Sequence, residues 1–499
     1  EYISYEYGSQ KILLKEINKD GTYYEKRYDK WENCIYERDF NGNETFREYS
    51  ISGKLIKEKN ADGTVVSLVY NDYDKLIERS NSIGAKEYWE YNDKGMMVRY
   101  RKRIEDERYA VTSYTYDGHG RILSETNPNG NTTYYEYKHG FSTPTMKVMP
   151  GGEIIWYSYD SAGRLMIEKN MYGQKSYGYN RADRVTSIVD ELGNKTHYSY
   201  DLLGNILEIR QPVQYALGIH GIRYEYDALD RKIVEETAEG NIYKYRYGNE
   251  DCMVCSIHPN AAAEGKSDGI AYEYDECSRK IRTIYPDGGI ERYFYDANGN
   301  QIKKIKPESY IKQTDNGSGY EYSFDCLDRL ISIKNPMGEY EATYSYDGND
   351  QLLSCSDALS DDYGMYKYNS AGWRTEKRVP VELDEQGEIL YCLTTYQYDD
   401  MGNVIEEKRY LDYQNADSAY GKTNHIRYEY DCSNRLAGAK DSTGAELKYE
   451  YDKAGRRIKE LLKIRTDSYR ELRYVYDKAG NMTEKYERLE DSAKCAGEN

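Results

Sequence analysis

An aromatic residue followed by a turn recurs every 21 residues at the start of this chain, at Tyr7, Tyr28, Tyr49, Tyr70 and Tyr91. The series continues through Tyr116, Tyr137, Tyr159, Tyr179, Tyr200, Tyr226, Tyr247, Tyr274, Tyr295, Phe324, Tyr346, Tyr368, Tyr398, Tyr430, Tyr451 and Tyr476, giving 21 units over 499 residues. Self-similarity at a fixed short period marks an array of stacked supersecondary units. A set of unrelated globular domains is therefore not what this chain encodes. The expected organisation is one array over 1–499, truncated at its N-terminus, with truncation at the C-terminus left open and no separate C-terminal domain.

The best-formed units read Tyr-x-Tyr-Asp-x-x-Gly-Arg-Leu, as in Tyr157-Ser158-Tyr159-Asp160-Ser161-Ala162-Gly163-Arg164-Leu165. The same core stands at Tyr116-Asp117 with Gly120-Arg121, and at Tyr451-Asp452 with Gly455-Arg456. It recurs without the Arg at Tyr200-Asp201 with Gly204, Tyr295-Asp296 with Gly299, and Tyr476-Asp477 with Gly480. Tyrosines at i and i+2 share one face of a strand, because side chains alternate across the pleat. The Asp can accept hydrogen bonds from turn amides just after the strand ends. Four residues after the anchoring aromatic, ten units carry Gly and seven carry Asp or Asn, with only Lys11, Glu32, Phe141 and Ser278 outside that set. Gly, Asn and Asp tolerate the left-handed backbone best, so the spacing predicts a turn with one left-handed residue.

A second turn lies mid-unit, at Asp20-Gly21, Asn41-Gly42, Asp62-Gly63, Asn129-Gly130 and Asp287-Gly288. Such dipeptides between alternating runs are a strong hairpin signal. Each unit is thus a β-hairpin. Seven of the 20 intervals are longer, at 25 to 32 residues, and the extra residues fall mostly at the mid-unit turn. No stretch shows a sustained helical period. The fold class expected from the repeat is all-β, tandem β-hairpins of about 21 residues.

Composition limits the core such hairpins can build. Hydrophobic residues are 38% of the chain, but 60 of the 499 residues are Tyr, which leaves about 26% for all other apolar types. That is too little for a core several layers thick. A sheet with two wet faces cannot be covered in Leu and Ile without aggregating, whereas Tyr offers ring area and a hydroxyl that stays hydrated or bonded. The net charge of −18 argues against binding nucleic acid, which needs a basic face. No apolar run reaches the roughly 18 residues of a membrane-spanning helix.

Tandem Tyr-Asp-x-x-Gly-Arg-Leu units resemble the YD repeats of the Rhs family, found also in the B and C components of insecticidal Tc toxin complexes, in wall-associated bacterial proteins and in teneurins. The resemblance covers essentially the whole chain. It implies hairpins joined into a spiralling single-layer antiparallel sheet, part of a hollow, noncatalytic shell, secreted or at the cell surface, enclosing a C-terminal toxin or effector domain, with delivery or cell-envelope components as further partners. Rhs proteins usually close the core with an Asp-Pro-x-Gly-type self-cleavage motif. This chain contains no Asp-Pro dipeptide, so neither autoproteolysis nor toxin activity carries over.

Other chemistry is thinly supported. Cys252-x-x-Cys255-x-x-His258, with Cys277 downstream, offers zinc-ligand types. It lacks the second pair that makes a zinc signal strong, and Cys277, Cys326 and Cys432 sit in ordinary slots of the repeat turn. The six histidines, His119, His139, His197, His220, His258 and His425, show no catalytic or zinc-protease spacing. No cofactor is implied. The alternative function is an adhesive or glycan-binding surface module. Glycan-binding repeats of similar length rely on Trp and Phe patterns, and this chain has only 4 Trp and 5 Phe.

Overall fold

The computed structural model describes residues 4–491 apart from 9–11, 19–20, 139, 141, 249–250, 266–268, 358–359, 414–420 and 466–467. It is 56% strand and 3% helix, and 42 strands form one long antiparallel sheet that does not close on itself. Successive strands pair in chain order. A representative stretch runs Ile154–Tyr159, Leu165–Lys169, Gln174–Tyr179 and Val185–Val189, each antiparallel to the next.

The turns explain the sequence pattern. At Asp160, the backbone N–H of Gly163 donates to the Asp160 carbonyl at 3.0 Å, and the Asp160 N–H donates to the Arg164 carbonyl at 3.0 Å. Gly163 has φ of 81°. This is a type I turn closed by one left-handed residue, the usual three-residue hairpin loop. Across every described unit the residue in that slot is left-handed, including Asp74, Asp183, Asp230 and Asn434 at φ of 57° to 63°. Glu32 (φ 69°) and Ser278 (φ 59°) adopt it as well, although neither residue type favours it. Lys11 and Phe141 lie outside the described residues. Gly21, Gly42, Gly63, Gly130 and Gly288 take the same conformation in the mid-unit turns.

Beside most anchoring aromatics the ladder slips by one residue. Tyr159 pairs with Leu165 while Ser158 pairs with Ile167, so two residues of the outgoing strand oppose one. Such a bulge bends the strand and raises its local twist. The two faces are unequal: in Glu44–Tyr49 and Ile242–Tyr247 exposed and half-buried residues alternate strictly, with the tyrosines on the half-buried side. Among the described residues only Ile104, Ile305 and Leu393 are large side chains wholly removed from solvent. The accessible surface is 30351 Å², against about 19,000 Å² for a compact protein of this mass. Both faces of the sheet are open.

The long intervals take two forms. Three hold small extra elements at the mid-unit turn: the helix Pro212–Leu217, the helix Pro259–Ala263, and a two-stranded ribbon pairing Tyr310–Ile311 with Asn316–Gly317. Each helix starts with Pro, whose fixed φ suits a first helical turn. At five or six residues they are too short to leave a helical period. Others lengthen the hairpin itself, as in Met97–Glu105 with Arg108–Tyr116 and Arg374–Leu383 with Ile389–Tyr398.

The ribbon divides into two compact units. The first comprises 1–115, 126–130 and 292–427. Within it the tip of the 97–116 hairpin makes a small apolar nucleus, with Ile104 and Ala110 packed against Ala371 and Trp373. The second comprises 116–125, 131–291 and 428–499.

Two glycines separate backbone strain from crowding. A Cβ at Gly163 would meet nothing within 4 Å, while one at Gly204 (φ 115°) would sit 2.7 Å from the Arg184 guanidinium. Gly163→Ala is expected to cost about 1 kcal/mol from φ alone, and Gly204→Ala somewhat more, because the Arg184 guanidinium must leave its bonds to the Asp201 and Leu203 carbonyls. Urea midpoints of the two variants check this ordering.

Candidate functional site

The recurrent chemistry of each unit is concentrated in the turn, where one carboxylate organises five residues. Asp160 Oδ1 accepts from the backbone N–H of Ala162 at 2.9 Å and of Arg164 at 3.0 Å, and Oδ2 accepts from Arg164 Nε at 2.7 Å. Asp117, Asp227, Asp431 and Asp452 repeat this geometry with Arg121, Arg231, Arg435 and Arg456. In several units that lack Arg, an Asn amide takes its place: Asn205 on Asp201, Asn300 on Asp296 and Asn481 on Asp477, each Nδ2 2.9 Å from Oδ2.

These bonds hold the carboxylates below the ordinary range. The Arg121 backbone N–H is the largest cause for Asp117, with the Arg121 side chain adding to it, and its pKa falls to about 2. The side chains of Arg164, Asn205 and Asn481 lead the same downward shift at Asp160, Asp201 and Asp477.

Beyond stabilising its own turn, the arginine reaches the next unit. Arg164 Nη1 donates to the Asn180 carbonyl at 3.1 Å and to Asp183 Oδ1 at 2.7 Å, and its guanidinium lies 4.9 Å from the centre of the Tyr179 ring. Arg231 does the same with Gly248, Asp251 and Tyr247, and Arg329 with Asp347, Asp350 and Tyr346. Among the described residues, cations resting on tyrosine faces cover more of the rings than do ring-on-ring pairs such as Tyr88 with Tyr109.

The tyrosine reaches backwards. Pairing between Leu165–Lys169 and Gln174–Tyr179 stops at Ile167, leaving the Leu165 carbonyl without a ladder partner, and the Tyr179 hydroxyl donates to it at 2.8 Å. Except at Tyr159, which donates to Pro144, the seventh residue after Tyr137, the acceptor is the sixth residue after the preceding anchor even when the interval is long, as in Tyr274 to Met253 (2.8 Å), Tyr398 to Arg374 (2.6 Å) and Tyr476 to Arg457 (2.8 Å). Burial raises the hydroxyl pKa of Tyr49, Tyr91, Tyr137 and Tyr200, so they stay protonated donors well into alkaline conditions.

A second set of links joins turn edges far apart in sequence. In the first unit, Asn41 Nδ2 donates to Asp296 Oδ2 and Asn298 Nδ2 to Asp39 Oδ2, at 2.9 and 2.8 Å. Arg108 donates to Asp400 Oδ1 and to the Tyr398 carbonyl, both at 2.8 Å. In the second unit the Lys453 N–H donates to the Tyr172 hydroxyl at 2.9 Å, and Arg456 lies over the Tyr172 ring. Partners are 255 to 292 residues apart. Asn in the free turn slots was the only sequence signal for these contacts, and it is too common there to stand out.

The remaining candidates do not converge. Cys252 faces the side of the sheet that carries Val254 and Tyr272, whereas Cys255 is buried on the opposite face, opposite Arg246, whose Nη2 approaches its sulfur at 3.1 Å. His258 packs edge-on against Tyr243. Among the described residues no three His, Cys, Asp or Glu side chains are placed to share a metal ion. His119 sits in its turn, its backbone N–H bonded to Asp117, and His197 stacks on Tyr215 with its pKa lowered by burial. His139 lies outside the described residues.

The RHS repeat model matches residues 91–132 and 179–216, and the teneurin YD-shell model matches 302–488. The chain belongs to the Rhs/YD-repeat family. Its fold is similar to a solved TcdB2-TccC3-TEV structure, at 12% identity and a TM-score of 0.57, over 98% of this chain and 34% of that one. TcdB2-TccC3 without its hypervariable C-terminal region is also similar, at 12% identity and a TM-score of 0.50, over 99% and 35%. The chain therefore spans about a third of the length of these neighbours. No curated protein matches it by sequence. The Rhs/YD repeat is a structural shell element here, and among the described residues no helix is long and apolar enough to cross a membrane.

Two outcomes follow from this geometry. Tyr179→Phe leaves the Leu165 carbonyl unsatisfied and is expected to cost about 1 kcal/mol in chemical denaturation. The turn aspartates, depressed below their unfolded value of about 3.9, add stability that is present above about pH 4 and lost as pH falls toward 2. The raised tyrosines add stability present below about pH 10 and lost as pH rises through their folded values. Thermal melts should thus show a plateau between those limits; a midpoint that drops between pH 6 and pH 5 would count against the turn carboxylates.

Proposed function

We propose that this Rhs/YD-repeat ribbon is a wall segment of a hollow shell that encloses a C-terminal toxin or effector domain of the same polypeptide, keeping it inactive until delivery outside the producing cell. The observation that supports this most is the return of the ribbon beside itself. In each unit, turn edges 255 to 292 residues apart are bonded to one another, as a continuous wall requires. A one-layer sheet open on both faces also supplies an inner surface without needing a core of its own.

The shell's role in this reading is steric and noncatalytic. Polar turns and tyrosine faces cover the wall, so an unfolded or partly folded cargo meets few greasy patches on which to aggregate. Limited proteolysis of the full-length protein tests it. The C-terminal domain should resist cleavage until urea disrupts the repeat array, then be cut rapidly. A C-terminal domain cleaved at the same rate with and without an intact array overturns encapsulation.

A further inference from the structure

The first compact unit holds two long runs of the ribbon, 1–115 and 292–427, and they meet edge to edge in one way. Mid-unit turns and hairpin tips of the earlier run sit on anchor turns of the later one. Asn41 donates to Asp296, Asn81 donates to Asn349, and the Ser370 N–H donates to the Ile104 carbonyl at 3.1 Å. At the last of these contacts a lengthened hairpin brings Ile104 onto Ala371, which fills the third position after its anchor, Tyr368. Ile104 and Ala371 are 0% and 6% exposed. The other apolar residues in that slot of the later run, Leu327 and Met401, are half-buried.

The same edge of the earlier run is bare. Trp31 and Tyr73 fill the third slot after their anchors and Ile51 the second, and they are 61%, 85% and 98% exposed. The three turns stand side by side: the Ser52 hydroxyl donates to Asp74 at 3.0 Å, and a Cβ on Gly53 would lie 3.7 Å from Asn33 Oδ1. Large apolar side chains on neighbouring exposed turns mark an interaction surface, and aromatic anchors dominate the energy of such surfaces. The complementary edge is bare on the later run. Met337 projects from the mid-unit turn 335–338, and Leu383 and Ile389 oppose one another, exposed, at the tip of another lengthened hairpin. That hairpin carries its apolar pair near the tip, as the 97–116 hairpin carries Ile104.

We propose that a second copy of this chain docks on the anchor-turn edge of residues 29–75, seating its Met337 and its Leu383–Ile389 tip on Trp31, Ile51 and Tyr73 as Ile104 is seated on Ala371. The surface continues an interface that the ribbon already makes with itself, and one chain carries both halves of it. The contact is head to tail, so it repeats from copy to copy without closing and lengthens the stack of ribbon edges. The proposal goes beyond enclosure of a cargo and does not depend on it.

Sedimentation velocity of the full chain tests it, at physiological salt to screen the charge of −18. The weight-average mass should rise with concentration, past that of two chains. Trp31→Asp with Tyr73→Asp, and separately Met337→Asp with Leu383→Asp, should each leave single chains, because exposed positions tolerate such changes without unfolding. Mixed in equal amounts, the two variants should form a complex of two chains and no more, since each retains the edge that the other has lost. Unfolding cannot produce association on mixing. A chain that stays single at high micromolar concentration overturns the proposal and leaves the edge to another pass of the same ribbon; double variants that still self-associate, or that fail to combine, overturn it as well.

Discussion

The hydrogen bond from an anchoring tyrosine to a backbone carbonyl of the preceding unit is the interaction on which this structure rests. Beside most anchors the ladder is cut short and leaves a carbonyl facing a half-buried layer. An unpaired carbonyl there is costly. A phenylalanine could fill the same space but could not donate, and a serine could donate but not reach. Tyrosine does both, and the arginine five residues after the anchor then closes over the ring of the next unit from the other side. A hairpin is thus tied backward by its tyrosine hydroxyl and, where the turn carries Arg as at Arg164, Arg231 and Arg329, forward by a guanidinium. Stability in such an array is a sum of units and nearest-neighbour links, so an apolar core several layers thick is not required. The chain's 60 tyrosines are the counterpart of that missing core.

Much of this was legible in the sequence. The period gave the hairpins and their number, and the Gly, Asp and Asn in the fourth slot gave the left-handed residue, because only a few side chains tolerate that conformation. Asp160 as acceptor for its own turn amides was also readable, since those bonds span four residues. Arg164 was not. The sequence pattern suggests an exposed pair with Asp160, and nothing local reveals that its second nitrogen meets Asn180 and Asp183 in the next turn. The same blindness applies to Asn41 with Asp296 and to Tyr172 with Lys453, whose separations reflect how the ribbon returns beside itself. The short helices Pro212–Leu217 and Pro259–Ala263 were missed because neither spans two helical turns. Cys252 and Cys255 looked like a pair only while the pleat was ignored.

The two kinds of link bear on different properties. Unit-to-unit links repeat along the ribbon and set how well each hairpin holds its neighbour. Links between distant turn edges are sparse and polar, made by exposed or half-buried residues: Asn41 and Asn298, Arg108 and Asp400, Lys453 and Tyr172. Exposed polar pairs contribute little individually. A ribbon built this way is firm along its length and weaker between its returning edges.

The most direct test of the central claim is hydrogen exchange on the chain carrying Tyr179→Phe together with Arg164→Gln. These substitutions remove the backward hydroxyl and the forward guanidinium at one junction. Amides between Asp160 and Tyr200 should lose protection while those between Leu13 and Tyr70 keep theirs, as nearest-neighbour coupling requires. Full protection retained between Asp160 and Tyr200 would contradict the account, because the links would then contribute nothing to holding the units together.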